Sequence, residues 1–401
     1  MVSKISFENS LEIINNISFD NLQETTVSLR DSLNRVLSVD IVADENLPIK
    51  PTSAMDGYAI KYEDINKNIK VISDNPAGNE TRLKITKGLS IKTFTGSLMP
   101  KGSDTLVPIE NITIKDGFIK IEKTVSKGYA VRDIGETYKK GELLIKKGVK
   151  IGFAQIGVMA SLNITEVKVY KKPLIAVVST GDEILDIGEK QRSLSQIRGS
   201  NHITMEAIAK LHQADVLQLG IIKDDKKAIQ DMYKTALKKA DMVVSTGGVS
   251  VGDYDFVKDI IKFELDANVL FHGVTIKPGQ HIVVAKKGDK IVVGLPGFAY
   301  SSTVTFLLYV LPLIYKLQGL TKEFETIKVK SNIDMPASSN KSIFTAVNIK
   351  NVDGYFTIDM IDKKVGTSAM VTNLLGNSAL LYQKPHSQKI KKGDIVEVFK
   401  L

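Results

Sequence analysis

LIAVVST, at residues 174–180, is a run of five apolar residues closed by two hydroxyl side chains, and it decides the fold. An unbroken apolar run of this length is typical of a parallel strand that is buried on both faces. Helical and strand-like segments then alternate: HITMEAIAKLH (202–212), DVLQLGII (215–222), KKAIQDMYKTALKKA (226–240), DMVVST (241–246) and FVKDIIKFEL (256–265). This alternation predicts a doubly wound α/β sheet, completed by the strands HIVVAK and KIVVGL and by a helix after Pro296.

The segments on either side of this sheet carry other patterns. Two sets of apolar residues in the first 50 have helical spacing: Phe7, Leu11 and Ile14, then Leu29, Leu33 and Leu37. From about residue 55 to 131, short strand-like segments alternate with glycine-rich turns, which predicts an all-β insert. Helical spacing returns at 152–162, before the strand-like TEVKVY, and strands return after about residue 324. We therefore expect four pieces: a helical N-terminal domain, a β insert within it, the α/β domain and a small C-terminal β domain.

Composition restricts the chemistry. A length of 401 residues favours about two to four domains, and 43% hydrophobic with 25% charged residues is ordinary for a globular protein. The sequence has no cysteine, which excludes disulfides, cysteine-ligated metals and a cysteine nucleophile. The five histidines show no metal-binding spacing, and we expect them to be incidental: His202, His212, His272, His281 and His386.

The net charge of +9 comes from lysine, since only six of the 54 basic residues are arginines. No basic cluster interleaved with aromatic residues is present, so we expect no nucleic-acid partner. A lysine-rich solvated surface and a basic pocket for a small anionic substrate remain open. The N-terminus lacks the apolar stretch of a signal peptide. The charge-free run from Ile291 to Tyr315 is broken by Pro296 and Gly297, so we expect a buried strand, a loop and a buried helix in a cytoplasmic protein without a membrane partner.

Two strands of the predicted sheet end in loops that could bind a ligand. Ser179-Thr180-Gly181-Asp182-Glu183 follows the first strand, and STGGVSVGDYD (245–255) follows the third. Ligands of open α/β sheets bind at the carboxyl ends of strands. Glycines such as those at 247 and 248 let backbone N–H groups approach a phosphate at a helix N-terminus. The alternative is an ordinary turn, in which glycine only supplies a positive φ.

Charged residues accompany these loops. We expect Asp182, Glu183 and Asp255 at one edge of the sheet, where they would repel a phosphate unless a hard cation such as Mg²⁺ intervened. The alternative role for each acid is to cap a helix. Lys277, which precedes Pro278, is either a cation aimed at an oxyanion or a solvated lysine before a turn.

The segment PTSAMDGYA, at residues 51–59, resembles a signature of the molybdopterin molybdenumtransferases of the MoeA and gephyrin type. The loops STGDEI and STGGVSVGDYD, the stretch IKPGQ (276–280) and the turn GLPG (294–297) resemble further blocks of this family in the same order. FTG (94–96) and residues 128–136 resemble its β insert. The resemblance extends from about residue 28 to about residue 384.

The resemblance implies a homodimer whose subunit has four domains: a discontinuous N-terminal interface domain (1–50 and 138–172), an inserted β domain (51–137), an α/β molybdopterin-binding domain (173–323) and a C-terminal β barrel (324–401). It implies an enzyme that inserts molybdenum from molybdate into adenylylated molybdopterin, with the help of Mg²⁺, and releases AMP. The cleft would be shared between subunits. Other implied partners are a molybdopterin adenylyltransferase and molybdoenzyme maturation proteins.

The resemblance also assigns roles to single residues. It implies contacts to the pterin phosphate and nucleotide from Ser179, Thr180, Gly181, Ser200, Asn201, Ser245, Gly247, Gly248, Ser250, Pro296 and Thr367. It implies metal binding by Asp182, Glu183, Asp224 and Asp255. The catalytic set that it implies consists of Glu183, Asp255 and Lys277, together with Asp56, Thr95 and Arg132, which the insert of the other subunit would offer near molybdate.

Several positions depart from the family pattern. Thr137 and Gly199 stand where acids are usual, and Gln280 stands where a lysine is common. Phe298-Ala299 replaces Asn-Pro, and Thr367-Ser368 replaces Ser-Gly. Fewer acids and one fewer lysine leave the affinities for molybdate and metal open.

Two other functions remain open. Gephyrin-type proteins use this module as a scaffold, although the chain shows no extra N-terminal domain and no long linker. A related α/β nucleotide-cleaving enzyme would share the central domain, although the block around Asp56 and the C-terminal β domain disfavour it. Molybdate-dependent release of AMP from adenylylated molybdopterin would separate the three functions.

Overall fold

The computed structural model describes residues 4–79, 82–249, 256–320, 325–364, 366 and 368–401. The chain forms two compact units. The first unit consists of Met1–Thr26, Asn34–Ser38 and Lys168–Leu401, and the second of Val27–Leu33 and Val39–Val167.

The N-terminal segment begins with helix α1 (Phe7–Asn16), as the spacing of its apolar residues predicts. The Ser6 side chain caps it by accepting a hydrogen bond from the backbone N–H of Asn9. Strand β1 (Glu24–Ser28), a single 3₁₀ turn (Leu29–Asp31) and strand β2 (Ile41–Val42) follow.

The helix predicted from Leu29, Leu33 and Leu37 is wrong. Leu33 is 50% exposed, so the three leucines form no continuous buried face. Leu37 is fully buried because it pairs as a β-bridge with Val169, which is distant in sequence. A tertiary pairing thus overrides the local helical spacing.

The second unit contains the all-β insert that the sequence predicts. Its strands are β3 (Thr52–Ser53), β4 (Gly57–Ile60), β5 (Ile69–Asn75), β6 (Leu89–Thr93), β7 (Thr105–Pro108), β8 (Ile112–Lys115), β9 (Phe118–Ile121) and β10 (Val131–Arg132). Six of them form one sheet in the order β7-β4-β6-β5-β9-β8, and β3 pairs with β10. Strand β11 (Leu143–Ile145), which pairs with β2, helix α2 (Phe153–Ser161) and strand β12 (Glu166–Tyr170) follow.

The α/β part of the first unit is built from elements between residues 174 and 317. They are β13 (Leu174–Thr180), β14 (Ile184–Leu185), β15 (Ile197–Arg198), α3 (Asn201–Leu211), β16 (Asp215–Ile222), α4 (Lys226–Lys239), β17 (Met242–Thr246), α5 (Phe256–Asp259, continued by the π-helical Ile260–Glu264), β18 (Asn268–His272), β19 (Ile276–Lys277), β20 (Val283–Lys287), β21 (Lys290–Leu295), α6 (Ala299–Thr305) and α7 (Leu311–Leu317), with a π-helical turn (Phe306–Val310) between the last two.

The predicted doubly wound sheet has the order β16-β13-β17-β21-β20-β18. The first four strands are parallel, and β20 pairs antiparallel with both β21 and β18. Only Gly288 and Asp289 separate β20 from β21, too short a connection for a parallel crossover. The LIAVVST run is buried on both faces: Ile175 faces one core cluster and Ala176 the other.

The apolar segment after Pro296 is a core helix, as expected. Among the described residues, Ala299–Leu317 is the one helical stretch long and apolar enough to cross a membrane, and 83% of its most apolar window is buried inside the protein. The buried core helices of globular proteins can be as long and as apolar as membrane-spanning helices.

The C-terminal region is a closed barrel. Its strands are β22 (Thr326–Ser331), β23 (Ser342–Val352), β24 (Tyr355–Asp359), β25 (Ser378–Gln383) and β26 (Ile395–Lys400). Strand β23 pairs with both β24 and β25, which closes the ring, and β19 adds to its edge. The barrel shares a core with the α/β part and with α1, where the rings of Phe7 and Phe344 lie 4.9 Å apart. The four domain boundaries stay a prediction.

Candidate functional site

Backbone from three loops meets at the carboxyl edge of the α/β sheet. A Cβ at Gly247 would lie 2.8 Å from the carbonyl oxygen of Thr180, and a Cβ at Gly297 would lie 3.8 Å from the Gly247 Cα. The Gly247 N–H donates to the Leu295 carbonyl oxygen at 3.1 Å. Gly247 and Gly248 have φ of +93° and +66°, which side chains rarely adopt. The structure therefore brings together the loops after β13, β17 and β21.

The start of helix α3 joins this group. The Asn201 side-chain amide donates to the Gly297 carbonyl oxygen at 2.7 Å, which ties the turn after Pro296 to the helix. Ser200, at the N-cap position, makes no capping hydrogen bond with its half-buried side chain. Both residues lie where the sequence predicts contacts to the substrate.

The predicted hydroxyl residues of the two strand ends point to different places. The Thr180 hydroxyl donates to the Thr246 carbonyl oxygen at 3.5 Å, beneath the glycines. The Ser245 hydroxyl is fully buried and lies 2.6 Å from the hydroxyl of Tyr233 on α4. Burial raises the pKa of Tyr233, which keeps its hydroxyl neutral. The Ser245 side chain therefore holds α4 against the sheet.

Three of the predicted metal-binding acids, Asp182, Glu183 and Asp224, lie among the described residues. Asp182 and Glu183 are exposed after β13, and the Glu183 carboxylate folds back to 3.1 Å from where a Cβ of Gly181 would lie. Asp224 is half-buried after β16. Within the described part of the chain, no three His, Cys, Asp or Glu side chains are grouped as metal ligands. Asp182 and Glu183 fit a Mg²⁺ ion held by one or two carboxylates and by substrate phosphates.

Three predicted residues, Ser250, Asp255 and Thr367, lie outside the described residues. The neighbour of the last, Ser368, accepts a hydrogen bond through its carbonyl oxygen from the Ser301 N–H at 3.1 Å. This bond ties the barrel to α6, the helix that follows the Pro296 turn.

Lys277 lines a cavity of about 390 Å³ between the α/β part and the barrel. The exposed lysine ends β19 and shares the cavity wall with Lys364, Asp334 and Ser368. The turn after it packs tightly on α6, because a Cβ at Gly279 would lie 2.3 Å from Thr305 Cγ2.

Gln280, which departs from the family pattern, contacts a lysine that is distant in sequence. Lys341, which directly precedes β23 of the barrel, donates from Nζ to the Gln280 Oε1 at 3.0 Å. A cation therefore stands beside the position where the family commonly has a lysine.

In the second unit, Asp56 and Thr95 are in direct contact. Asp56 Oδ1 accepts hydrogen bonds from the backbone N–H of Thr95 at 2.8 Å and from its hydroxyl at 2.7 Å. These two bonds, the backbone one first, hold the pKa of Asp56 below its usual value. Both residues are exposed, so an ionised carboxylate is presented at the surface.

Arg132 is engaged within its own loop. Its Nε donates to Glu136 Oε1 at 2.9 Å, and its Nη2 donates to the Thr137 hydroxyl at 2.8 Å. Thr137, which replaces an acid of the family, therefore binds the guanidinium as a neutral partner.

His202, which we expected to be incidental, is part of the carboxyl edge of the α/β sheet. His202 is fully buried on α3, and both of its ring nitrogens face polar side chains, those of Ser179 and Asp186. Its position next to the Ser200-Asn201 pair is the only signal in the sequence that could have pointed to it.

Comparison with known proteins agrees with this architecture. Residues 5–163 match the MoeA N-terminal region (domain I and II), and residues 176–316 match a probable molybdopterin binding domain. A molybdopterin molybdenumtransferase from Nostoc is 32% identical over 92% of this chain and 87% of its own length. One from Haemophilus influenzae is 33% identical over 74% of each chain.

Solved structures show the same similarity. A molybdopterin biosynthesis MoeA protein from Pyrococcus horikoshii superposes over the full length of both chains with a TM-score of 0.85 and 25% identity. Since these similarities span both units, the chain belongs to the molybdopterin molybdenumtransferase family, enzymes of molybdenum cofactor biosynthesis.

Proposed function

We propose that the protein inserts molybdenum from molybdate into adenylylated molybdopterin and releases AMP. The observation that carries the proposal is the close meeting of Thr180, Gly247 and Gly297, held by Asn201. Such a surface lets a phosphate approach the backbone, which a side chain at either glycine would prevent.

The two glycines of the second loop would act differently. The Gly247 N–H is committed to Leu295, so Gly247 would contribute space. The Gly248 N–H has no hydrogen-bond partner among the described residues, which makes it the candidate donor to a phosphate oxygen. Ser179, Thr180, Gly181 and Ser200 would support or contact the same group.

The charges of the first unit would balance those of the substrates. Molybdate is a dianion, and repulsion from the substrate's phosphates would be costly in a partly desolvated cleft. Lys277, and Lys341 beside Gln280, would offset this charge. Bound Mg²⁺ would supply further positive charge near the phosphates, with Asp182 and Glu183 as its protein ligands and Asp224 and Asp255 as further candidates.

Asp56, Thr95 and Arg132 of one subunit would serve the cleft of another. The support for a homodimer is helix α2, whose apolar sequence leaves Phe153 90% exposed together with Ala154, Gly157 and Ala160. An exposed apolar helix surface is typical of a protein interface. We further propose a cytoplasmic location and contacts with a molybdopterin adenylyltransferase and with molybdoenzyme maturation proteins.

Light scattering tests the dimer. We expect a dimer at micromolar concentration, and Phe153→Glu should shift it toward monomer because a charge on this face opposes apolar burial. Phe263→Glu, which alters a phenylalanine of the first unit that is 68% exposed, is the control. A fully active monomer would contradict the proposal.

The reaction is tested by AMP release from adenylylated molybdopterin. We expect release that depends on molybdate and is stimulated by Mg²⁺. Hydrolysis of the pyrophosphate without molybdate would favour the nucleotide-cleaving alternative. Tight binding of molybdopterin without turnover would favour a scaffold.

A further inference from the structure

A chain of four side chains runs beneath the glycine loops of the first unit. Thr246 Oγ1 lies 2.9 Å from Ser179 Oγ, and Ser179 Oγ lies 3.5 Å from His202 Nδ1. His202 Nε2 lies 3.1 Å from Asp186 Oδ1. The chain thereby links β17, β13, α3 and the loop after β14. Thr246 directly precedes Gly247, so this chain of hydrogen bonds ends next to the proposed phosphate site.

The donor and acceptor properties of the four side chains give their hydrogen bonds one direction. The backbone N–H of Ile187, and then His202, hold the pKa of Asp186 below its usual value, so its carboxylate is ionised and only accepts. His202 Nε2 therefore donates to Asp186. In the neutral ring Nδ1 then accepts from the Ser179 hydroxyl, and Ser179 accepts from Thr246. The Ser179 hydroxyl then donates to His202 and the Thr246 hydroxyl donates to Ser179, which restricts the rotation of both side chains.

The order Ser, His, Asp is that of a nucleophilic triad, but burial excludes this role. Ser179 is 1% exposed and His202 is 0% exposed, so no substrate atom can reach the hydroxyl. The chain of bonds can act only by holding the strand ends in place.

Gly199 lies against the His202 ring. A Cβ at Gly199 would lie 2.7 Å from Ile184 Cγ2 and 3.3 Å from His202 Cε1. A side chain at position 199 would therefore displace Ile184 or the ring.

We propose that His202 and Asp186 are positioning residues that orient the loops after β13 and β17 for phosphate binding. This inference rests on the proposed function, because it assigns the phosphate of adenylylated molybdopterin to those loops. It predicts an effect mainly on substrate affinity, because His202 and Asp186 touch no reacting atom and act only by holding the loops that would bind the phosphate.

The test is a comparison of His202→Phe with His202→Asn. Phenylalanine keeps an aromatic ring but removes both hydrogen bonds, whereas the asparagine oxygen can still accept from Ser179. For His202→Phe we expect KM for adenylylated molybdopterin to rise at least about tenfold, with kcat changed less than about threefold. His202→Asn should recover most of the affinity, and Asp186→Asn should raise KM by about threefold.

His386→Asn is the matched control. His386 is exposed at φ +57°, a conformation that asparagine tolerates, and we expect this variant to keep the wild-type KM. All variants are assayed well below their own Tm, so that a loss of stability does not mimic a loss of affinity. A lowered Tm with unchanged KM in the His202 variants would show a purely structural role and overturn the inference.

Gly199→Asp provides an independent test. We expect a higher KM and a lower Tm, because the new side chain would displace Ile184 and the His202 ring. An unchanged or lower KM would contradict the positioning role of His202. If the wild-type protein releases no AMP and binds no adenylylated molybdopterin, the proposed function fails and the inference falls with it. If the wild type is active and His202→Phe has the wild-type KM, only the inference fails.

Discussion

The carboxyl edge of the α/β sheet presents mostly backbone, whereas the turn around Asp56 in the second unit presents charged side chains. At the edge, Gly247 packs on Thr180 with no room for a Cβ, and the Ser179 and Ser245 hydroxyls are buried. At the turn, Asp56 is exposed and its carboxylate accepts two hydrogen bonds from Thr95. The edge therefore depends on shape, and the turn depends on charge.

This difference predicts two kinds of sensitivity. A substitution at the edge should damage the site by displacing backbone, whatever the charge of the new residue. A substitution at the turn should leave the fold intact and act through electrostatics. The predictions below test this contrast in order of decreasing effect.

Gly247→Ala should have the largest effect. The alanine would bear the cost of a left-handed φ, about 1–2 kcal/mol, and its Cβ would collide with the Thr180 carbonyl. We expect AMP release to fall at least about 10²-fold, as for other displacements of about 1 Å in a site. Gly117→Ala is the control, since Gly117 has φ +79° in the β8–β9 turn with no neighbour near its Cβ position. Equal activity of the two variants would show that the contact with Thr180 is irrelevant.

Asp56→Asn should reduce turnover by about tenfold to 10²-fold without destabilising the protein. The amide oxygen can still accept the two hydrogen bonds of Thr95, while the negative charge is lost. Thermal unfolding and AMP release at saturating molybdate measure the two effects separately. Wild-type turnover would remove Asp56 from the catalytic set, and a large loss of Tm would contradict a purely electrostatic role.

Thr137→Asp should change the molybdate requirement by less than about tenfold, or about 1.4 kcal/mol. The new carboxylate would pair with Arg132, which already donates to Thr137 and Glu136, and exposed ion pairs contribute little. The measurement is the molybdate concentration at half-maximal AMP release. A larger gain at low molybdate would show that the natural threonine weakens the enzyme.

Thr95→Val should have the smallest effect, a partial rise in the pKa of Asp56. The variant loses the hydroxyl donor but keeps the backbone N–H, which is the larger cause of the lowered pKa. A carboxylate whose pKa is lowered by folding stabilises the fold above its unfolded pKa, and this stabilisation is lost as pH falls through the folded pKa. Because Thr95→Val raises the folded pKa, the variant should lose the stabilisation at a higher pH. An NMR titration of the Asp56 carboxyl measures the shift. An unchanged pKa would assign the whole shift to the backbone.

Much of the fold could be predicted because its signals are local. The apolar run at 174–180 and the strands and helices after it follow from periodicities of a few residues. The helix expected at Leu29–Leu37 failed because Leu37 is buried by Val169, a partner that no local window contains.

The sequence by itself determined which loops end the strands, which glycines they carry and which acids follow them, because strand length and turn chemistry depend on neighbouring residues. Tertiary structure alone decided which hydroxyls are buried, that Lys341 stands beside Gln280, and that the His202 ring lies against Gly199. These contacts join residues on separate elements, and their distances depend on how the sheet, helices and barrel pack. Packing is dense enough that an added Cβ at Gly199 would displace its neighbours, a constraint that no linear pattern expresses.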